Sequence, residues 1–220
     1  MREKQTCGTR TFLYGCGVSG LRERKKQATR EALSLAALVL AVERGIDNVL
    51  VEDIAAAADV SPRTFNNYFS SKFEAIAWRE VDRATRIGDV IRDRPADEPL
   101  WDVIEHAVML IYGGSAAEEA TTKPPPGWAE GVRAFINHPQ MFGEILKGRA
   151  QVVDVLAAAI ADRMGLDRTL DMYPKVLAGS VIAAWQTAQE FWLRSDPPRP
   201  MSELVRSALN ELRDLQGGMS

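Results

Sequence analysis

The stretch DVSPRTFNNYFSSK, residues 59–72, concentrates hydrogen-bonding side chains on a short segment. It follows the alanine-rich run IAAAA, residues 54–58, and its aromatic residues are Phe65, Tyr68 and Phe69. Phe65 and Phe69 are four positions apart, so on a helix they share one face, which we expect to be buried. The polar side chains would then point away from the core, toward a binding partner.

The flanking residues predict two short helices joined by a tight turn, over residues 51–58 and 62–69. Asp59 lies in the turn, and aspartate tolerates a left-handed backbone better than most residues. Ser61 is a natural N-cap and Pro62 a natural first residue of the second helix. Together the helices form a helix-turn-helix unit, in which the second helix enters the major groove of DNA.

The side chains of this second helix suit base readout. Arginine pairs best with guanine, asparagine with adenine, and threonine with a base edge or a thymine methyl group. Hydroxyl and ammonium groups bind phosphates, which fix the register without reading sequence. A solvated helix face is the alternative that a polar pattern alone leaves open. The candidate DNA contacts are Ser61, Arg63, Thr64, Asn66, Asn67, Tyr68 and Lys72.

Charge is distributed unevenly along the chain, whose net charge is -3. Residues 1–30 hold eight Lys or Arg against two Glu, a net of +6, so the remainder carries -9. A basic end on an acidic body suggests a polyanion partner, although a solvated tail would look the same. We expect Arg22, Lys25 and Lys26 to face phosphates.

The periodicity of the whole chain predicts an all-α protein, since no alternating pattern is bounded by turn signals. Gly45 and Gly165 suit helix C-caps, Ser71 and Ser202 suit N-caps, and residues 113–127 form a loop by composition. We expect a helix-turn-helix domain over residues 21–70 and a larger helical domain over 71–220. The predicted helices cover 22–44, 51–58, 62–69, 71–92, 100–112, 128–136, 140–164, 171–194 and 202–215.

The first residues, MREKQTCGTRTFLYGCG (1–17), fit neither domain. They lack a helical period and hold both cysteines, Cys7 and Cys16. Val18 can be encoded by GTG, a bacterial start codon, so residues 1–20 are expected to be disordered or a mis-annotated extension. The alternative is an arm that enters the minor groove.

The run VEDIAAAADVSPRTFNNYFSSKFEAI, residues 51–76, resembles the TetR family of bacterial transcriptional repressors. The resemblance covers about residues 22–78 and rests on the IAxxAxVS turn, the aromatic-rich recognition helix and the FxSK entry to the fourth helix. It implies DNA contacts at the candidate positions given above. The sequence departs from the family at Leu50, where a capping Thr or Ser is usual, at Asp59, where Gly is usual, and at Asn66, where Tyr is common. The Leu50 departure puts one phosphate contact in doubt.

The resemblance also implies a homodimer formed through the last two long helices. Apolar stripes at helical spacing run along both, and two stripes per subunit would make a four-helix interface. The alternative is that each stripe faces its own core. The predicted interface residues are Leu177, Val181, Ala184, Ala188, Trp192, Val205, Leu209 and Leu212.

A ligand domain is likewise implied by the resemblance, and apolar cavities of this kind are lined by aromatic and Met side chains. Each such residue is alternatively part of an ordinary core. The C-terminal layout is similar to actinobacterial regulators that respond to acyl-CoA-like ligands, including the mycofactocin regulator type, and Lys147 and Arg149 could face a phosphate-bearing ligand. The candidates are Trp101, Met109, Tyr112, Trp128, Phe135, Met141, Phe142, Trp185 and Trp192.

An enzyme is disfavoured by the sequence. His106 and His138 have no metal-binding spacing, and neither a phosphate-binding glycine loop nor a cysteine occurs in the folded body, so we expect no metal and no cofactor. No apolar run reaches the length of a membrane span and no signal peptide is recognisable, which predicts a cytoplasmic protein.

These patterns together predict a ligand-responsive DNA-binding regulator, a repressor that a small lipophilic or acyl-CoA-like molecule releases from a palindromic operator. The alternative is a ligand-independent architectural DNA-binding protein, which would not need so large an aromatic-rich C-terminal body.

Overall fold

The computed structural model describes residues 15–112, 128–195 and 199–217, and every regular element in these ranges is a helix, which confirms the all-α prediction. A short 3-10 turn, Ile46–Asn48, follows the first helix. The helices are α1 Gly15–Arg44, α2 Val51–Ala57, α3 Pro62–Asn66, α4 Lys72–Asp93, α5 Leu100–Tyr112, α6 Trp128–Ile136, α7 Pro139–Met164, α8 Tyr173–Arg194 and α9 Met201–Gly217.

Local capping signals explain most helix ends. Gly45 and Gly165 have φ of 78° and 66°, and Ser71 caps α4 by accepting a hydrogen bond from the Glu74 amide at 3.1 Å. Ser202 is not a cap, because α9 begins one residue earlier and the Leu204 amide bonds to the Pro200 carbonyl.

Two helices differ from the prediction by more than two residues at one end. The backbone of α1 begins at Gly15, upstream of the predicted start, while the rest of the proposed N-terminal extension, residues 1–14, lies outside the described residues. The regular part of α3 ends at Asn66, because the Tyr68 amide bonds to the carbonyl three residues back, at Phe65, and tightens the last turn.

The buried apolar residues form two clusters. The N-terminal core joins α1, α2, α3 and the first turns of α4, and the C-terminal core joins the rest of α4 with α5, α7, α8 and α9. Helix α4 contributes to both, with Phe73 and Ile76 in the first core and Ile87 and Ile91 in the second. The two cores are therefore joined by one continuous helix.

Polar contacts tie α4 to its neighbours. On the N-terminal side, the buried Ser34 hydroxyl of α1 donates to the Ala75 carbonyl at 2.5 Å. On the C-terminal side, Tyr112 of α5 donates to a Glu80 carboxylate oxygen at 3.0 Å, and the other oxygen accepts from Arg83 at 2.6 Å. Burial, and then the Glu80 charge, raise the pKa of the Tyr112 phenol well above its usual value.

Helix α6 crosses α1 at very short range. A Cβ atom on Gly131 would lie 2.5 Å from the Val42 carbonyl oxygen and 2.9 Å from a Val42 methyl carbon. Only a glycine permits this approach, which brings α6 against the N-terminal core.

Candidate nucleic-acid interface

The turn between α2 and α3 has the geometry that its sequence predicts. Asp59 adopts φ 55°, and the Val60 amide bonds to the Ala55 carbonyl at 2.9 Å. Ser61 is extended and its hydroxyl accepts a hydrogen bond from the Thr64 amide at 3.1 Å, so it is the N-cap of α3. The helix-turn-helix is thus set by local backbone chemistry.

Aromatic packing fixes the inner face of α3. Phe65 is fully buried, Phe69 is 2% exposed, and their ring centroids are 5.8 Å apart. Phe69 also packs on Trp78 of α4 at 6.0 Å, and the Arg30 guanidinium of α1 lies over both rings. As expected from the four-residue spacing, both phenylalanines belong to the core.

The outward face of α3 carries free polar groups. Arg63, Asn66 and Asn67 are exposed, and their side chains make no hydrogen bond to any described residue. Ser61 and Thr64 differ, because their hydroxyls bond to each other at 2.9 Å as part of the cap. Contact with DNA stays a prediction for these residues.

Tyr68 and Lys72 are less exposed than we expect of residues that only contact DNA phosphates. Tyr68 is half-buried and packs against the N-terminal core. The Lys72 ammonium donates to the Ile46 carbonyl at 2.5 Å and to the Val49 carbonyl at 2.9 Å. Lys72 therefore ties α4 to the turn between α1 and α2, a structural role that was not predicted and that no local sequence signal reveals.

The basic residues at 22–26, near the start of α1, are exposed. Arg22 and Lys25 make no side-chain bond to a described residue, and Lys26 forms an ion pair with Glu23 at 3.6 Å. Arg24 donates to the Gly20 carbonyl of its own helix at 3.1 Å. Pairs of this exposed kind contribute little to stability, so these charges stay available for a polyanion.

Leu50 at the start of α2 has no side-chain acceptor, and it is 61% exposed. The helix start is instead held from inside, since an Asp53 carboxylate oxygen accepts a hydrogen bond from the Leu50 amide at 3.1 Å. Asp53 therefore caps the helix start, and Leu50 lacks the hydroxyl that is usual at this position in the family it resembles.

The predicted ligand-pocket residues do not all lie in one cluster. Trp101, Met109, Tyr112, Trp185 and Trp192 belong to or pack on the C-terminal core, with the Tyr112 and Trp185 rings stacked at 3.7 Å. The Trp128 side chain lies outside the part of the chain that is described.

Three further pocket predictions are corrected by the position of the α6–α7 turn. This turn points Phe135 and Met141 into the N-terminal core and leaves Phe142 58% exposed. Of the two cations suggested for a phosphate, Lys147 pairs with Glu144 at 2.7 Å and Arg149 is exposed.

The predicted dimer stripe is also corrected, because it faces the C-terminal core of its own subunit. Its buried members are Leu177, Val181, Ala188, Trp192, Val205 and Leu209, while Ala184 and Leu212 are half-buried. The outward side of α8 carries a different row at helical spacing. That row consists of Val176, Ser180, Ala183, Thr187 and Phe191, with Val176 64% and Phe191 56% exposed.

Metal and membrane features are limited in the described ranges. No group of three or more His, Cys, Asp or Glu side chains there is placed to hold a metal ion. No helix among them is both long and apolar enough to cross a membrane.

Two protein-family models match the chain. Residues 35–74 match the model described as bacterial regulatory proteins, tetR family, and residues 98–216 match the model described as MftR C-terminal domain. The first covers the helix-turn-helix and the second covers α5 to α9.

Individual proteins give the same grouping. The HTH-type transcriptional regulator TcmR of Streptomyces glaucescens is 30% identical over 215 residues, which cover 96% of this chain and 93% of that protein. A TetR-family structure from Rhodococcus sp. has a TM-score of 0.55 at 20% identity, covering 85% of this chain and 97% of the other. Another, from Syntrophomonas wolfei, has a TM-score of 0.59 at 17% identity, covering 86% and 95%.

Proposed function

The chain belongs to the TetR family of bacterial transcriptional regulators, and on that premise we propose that it is a repressor that binds a palindromic operator as a homodimer and is released by a small ligand. The observation that carries this proposal is the outward face of α3. Arg63, Asn66 and Asn67 are exposed and unbonded there, while Phe65 behind them is fully buried.

The recognition helix would divide the work between bases and phosphates. Arg63 would read a guanine, and Asn66 and Asn67 would read adenines or bond the adjacent backbone. Phosphate contacts would come from the Tyr68 hydroxyl and from the basic residues of α1, since contacts to the backbone position a protein without reading sequence. Ser61 and Thr64 would reach DNA with hydroxyls that also cap α3.

The homodimer would be formed through the outward row of α8. Val176 and Phe191 are large apolar side chains left exposed, and Ser180, Ala183 and Thr187 between them are small enough for a second helix to approach closely. A two-fold interface presents the same patch on both subunits, so one helix can pack against its own copy. A dimer of this kind explains why the operator would be palindromic.

The effector would bind among the residues of the C-terminal core. The support is chemical: Tyr112, Glu80 and Arg83 place polar groups beside the apolar ring of Trp185, and ligand sites combine an apolar wall with a few polar groups. A lipophilic or acyl-CoA-like molecule matches this mixture. A thermal-shift screen with such compounds tests the ligand, and the absence of any stabilisation would favour an architectural DNA-binding protein.

Footprinting on the region upstream of the protein's own gene tests the DNA-binding proposal. The wild-type chain should protect two half-sites related by a two-fold axis, and the double variant Asn66→Ala, Asn67→Ala should lose this protection while keeping its helical content. Arg44→Gln serves as the control, because Arg44 is exposed and is the last residue of α1. Equal protection by the wild type and the double variant would contradict the assignment of α3.

A further inference from the structure

A cleft of about 370 Å³ lies where α1, α4 and α7 meet. Its volume falls in the range of roughly 300–1,000 Å³ that small-molecule sites occupy. It spans the junction between the N-terminal core and the long helix α7, and none of the effector candidates in the C-terminal core lines it. The lining residues that the argument uses are Arg30, Glu74, Ala77, Val81, Glu144 and Gly148.

Arg30 brings an unused donor to this cleft. Its Nε is buried and has no hydrogen-bond acceptor, and the side chain forms no ion pair within the described ranges. Its guanidinium lies 4.7 Å from the Trp78 ring centroid and 5.2 Å from that of Phe69. Cation–π contacts hold the group in place but leave the Nε–H donor without an acceptor, and an unsatisfied buried donor is costly.

The other charged groups of the cleft already have partners. Glu74 accepts from the Ser70 amide at 2.7 Å and from the Ser70 hydroxyl at 2.6 Å. It stands in the first turn of α4, where the helix dipole stabilises a negative charge. Glu144 pairs with Lys147 at 2.7 Å. Of the two cations that line this cleft, Lys147 has an ion-pair partner and Arg30 has none among the described residues.

We infer that this cleft is a binding site for a compact organic carboxylate. The carboxylate would accept hydrogen bonds from the Arg30 guanidinium, because charge-assisted pairs of this type satisfy both groups. The apolar body of the ligand would lie against Ala77 and Val81 of α4 and Gly148 of α7, which line the cleft. This site is separate from the effector site proposed in the C-terminal core.

The position of the cleft gives its occupant a route to the recognition helix. Arg30 lies over the ring of Phe69, which packs on Phe65 of α3, so a ligand bound to the guanidinium would act on the packing behind the DNA-reading face. A ligand held between α1 and α7 would also fix the angle between the two cores. This regulatory consequence rests on the proposed function, whereas binding itself does not depend on it.

Calorimetry on the full chain tests the site with benzoate, 2-naphthoate and octanoate as probes, and with 2-naphthamide as the neutral match of 2-naphthoate. At least one carboxylate should bind with one site per chain, and 2-naphthamide should bind more weakly than 2-naphthoate. Arg30→Gln should weaken binding about tenfold or more, because a hydrogen bond to a charged group is lost. Gly148→Leu should abolish binding by filling the cleft from α7 without altering Arg30.

The controls are Gly143→Ala, a change on α7 outside the cleft whose added carbon has nothing within 4 Å, and Arg44→Gln, which removes an exposed charge from α1. Both should bind as the wild type does. The inference is overturned if no carboxylate binds at millimolar concentration, if inorganic phosphate binds as tightly as the best carboxylate, or if Gly148→Leu binds normally.

Operator binding, measured with and without the bound carboxylate, tests the regulatory consequence separately from carboxylate binding itself. A change in operator affinity supports the regulatory consequence, and unchanged affinity with intact carboxylate binding overturns that consequence alone. Failure of the DNA-binding proposal would appear in footprinting and would leave the calorimetric result unaffected.

Discussion

At the scale of single residues, Arg63 and Lys72 have different roles, although the sequence alone presents both as cations that could contact DNA. Arg63 lies on the recognition helix and is exposed and unbonded. The Lys72 ammonium, at the start of α4, donates instead to two backbone carbonyls. Arg63→Ala should therefore remove about 1–3 kcal/mol of discrimination at one base pair per half-site and leave stability unchanged. Titrations against the operator, single-base variants of it and random DNA measure this. An equal loss on all sequences would instead mark Arg63 as a phosphate contact.

Lys72→Met keeps the aliphatic stem and removes the ammonium. The Ile46 and Val49 carbonyls lose a charged donor, so the free energy of unfolding should fall by about 1.5–3 kcal/mol. Urea unfolding measures this, and Lys147→Met is the control because Lys147 is exposed. If stability is unchanged and binding to every DNA sequence weakens instead, Lys72 acts mainly on phosphate, as the resemblance implies.

Asp82 gives a pH-dependent prediction. Burial raises the pKa of its carboxyl, and the nearby Glu31 charge raises it further, while the Gln27 amide and Arg86 and Arg79 oppose the rise. The folded chain thus holds this proton more tightly than the unfolded chain. Ionisation of Asp82 costs stability at neutral pH and costs nothing below the ordinary pKa of 3.8.

Asp82→Asn should consequently be more stable than the wild type at neutral pH, and this advantage should shrink as the pH falls through the folded-state pKa and vanish below 3.8. The Gln27 amide keeps an oxygen acceptor in the variant. Urea unfolding at a series of pH values tests the trend against Asp89→Asn, an exposed change on the same helix. An advantage that grows toward acid pH would contradict a raised pKa of Asp82 in the folded chain.

At the scale of helices, the crossing of α1 and α6 depends on Gly131. Gly131→Ala would place a carbon 2.5 Å from a backbone oxygen that cannot rotate away, so α6 must shift. Overpacking of this kind costs about 1–3 kcal/mol. Gly143→Ala in α7 is the matched control, since nothing lies within 4 Å of its added carbon and the change should stabilise the helix by up to about 1 kcal/mol. Thermal unfolding of the two variants should show opposite shifts, and equal shifts would contradict the close approach.

Helix positions could be predicted from the sequence because their signals are local. Asp59, Ser61, Ser71 and Gly165 each fix the backbone within a few residues, and the structure has each in the predicted conformation. The contacts of Lys72 could not be predicted, since its acceptors lie 23 and 26 residues away and are ordinary carbonyls.

Apolar stripes show a second limit of the sequence. Spacing at three and four residues identifies the apolar side of a helix but not the neighbour that covers it. On α8 the stronger stripe, with Val181 and Trp192, covers the subunit's own core, and the weaker row through Val176 and Phe191 stays outside. The predicted pocket positions of Phe135 and Phe142 differ from the structure for a related reason. The turn between α6 and α7 decides which core each side chain meets.

At the scale of the whole molecule, the two faces of α8 predict different outcomes for the same kind of change. Ala183→Asp puts a charge on the outward row and should dissociate the dimer while leaving the subunit folded. Val181→Asp, only two residues away, puts a charge into the core and should unfold the subunit. Sedimentation and circular dichroism distinguish these results. A folded dimer for Ala183→Asp would move the interface to another surface.

The continuity of α4 sets how motion in one core would be felt in the other. Its 22 residues make a rod of about 33 Å, with one end beside the recognition helix and the other among α5 and α7. A tilt of about 5° about the far end would carry Ser71 roughly 3 Å sideways, the length of one hydrogen bond. In a symmetric pair, the two copies of α4 would tilt in opposite directions, so their displacements would add. The span between the two recognition helices would then change by about 6 Å, close to two base-pair steps.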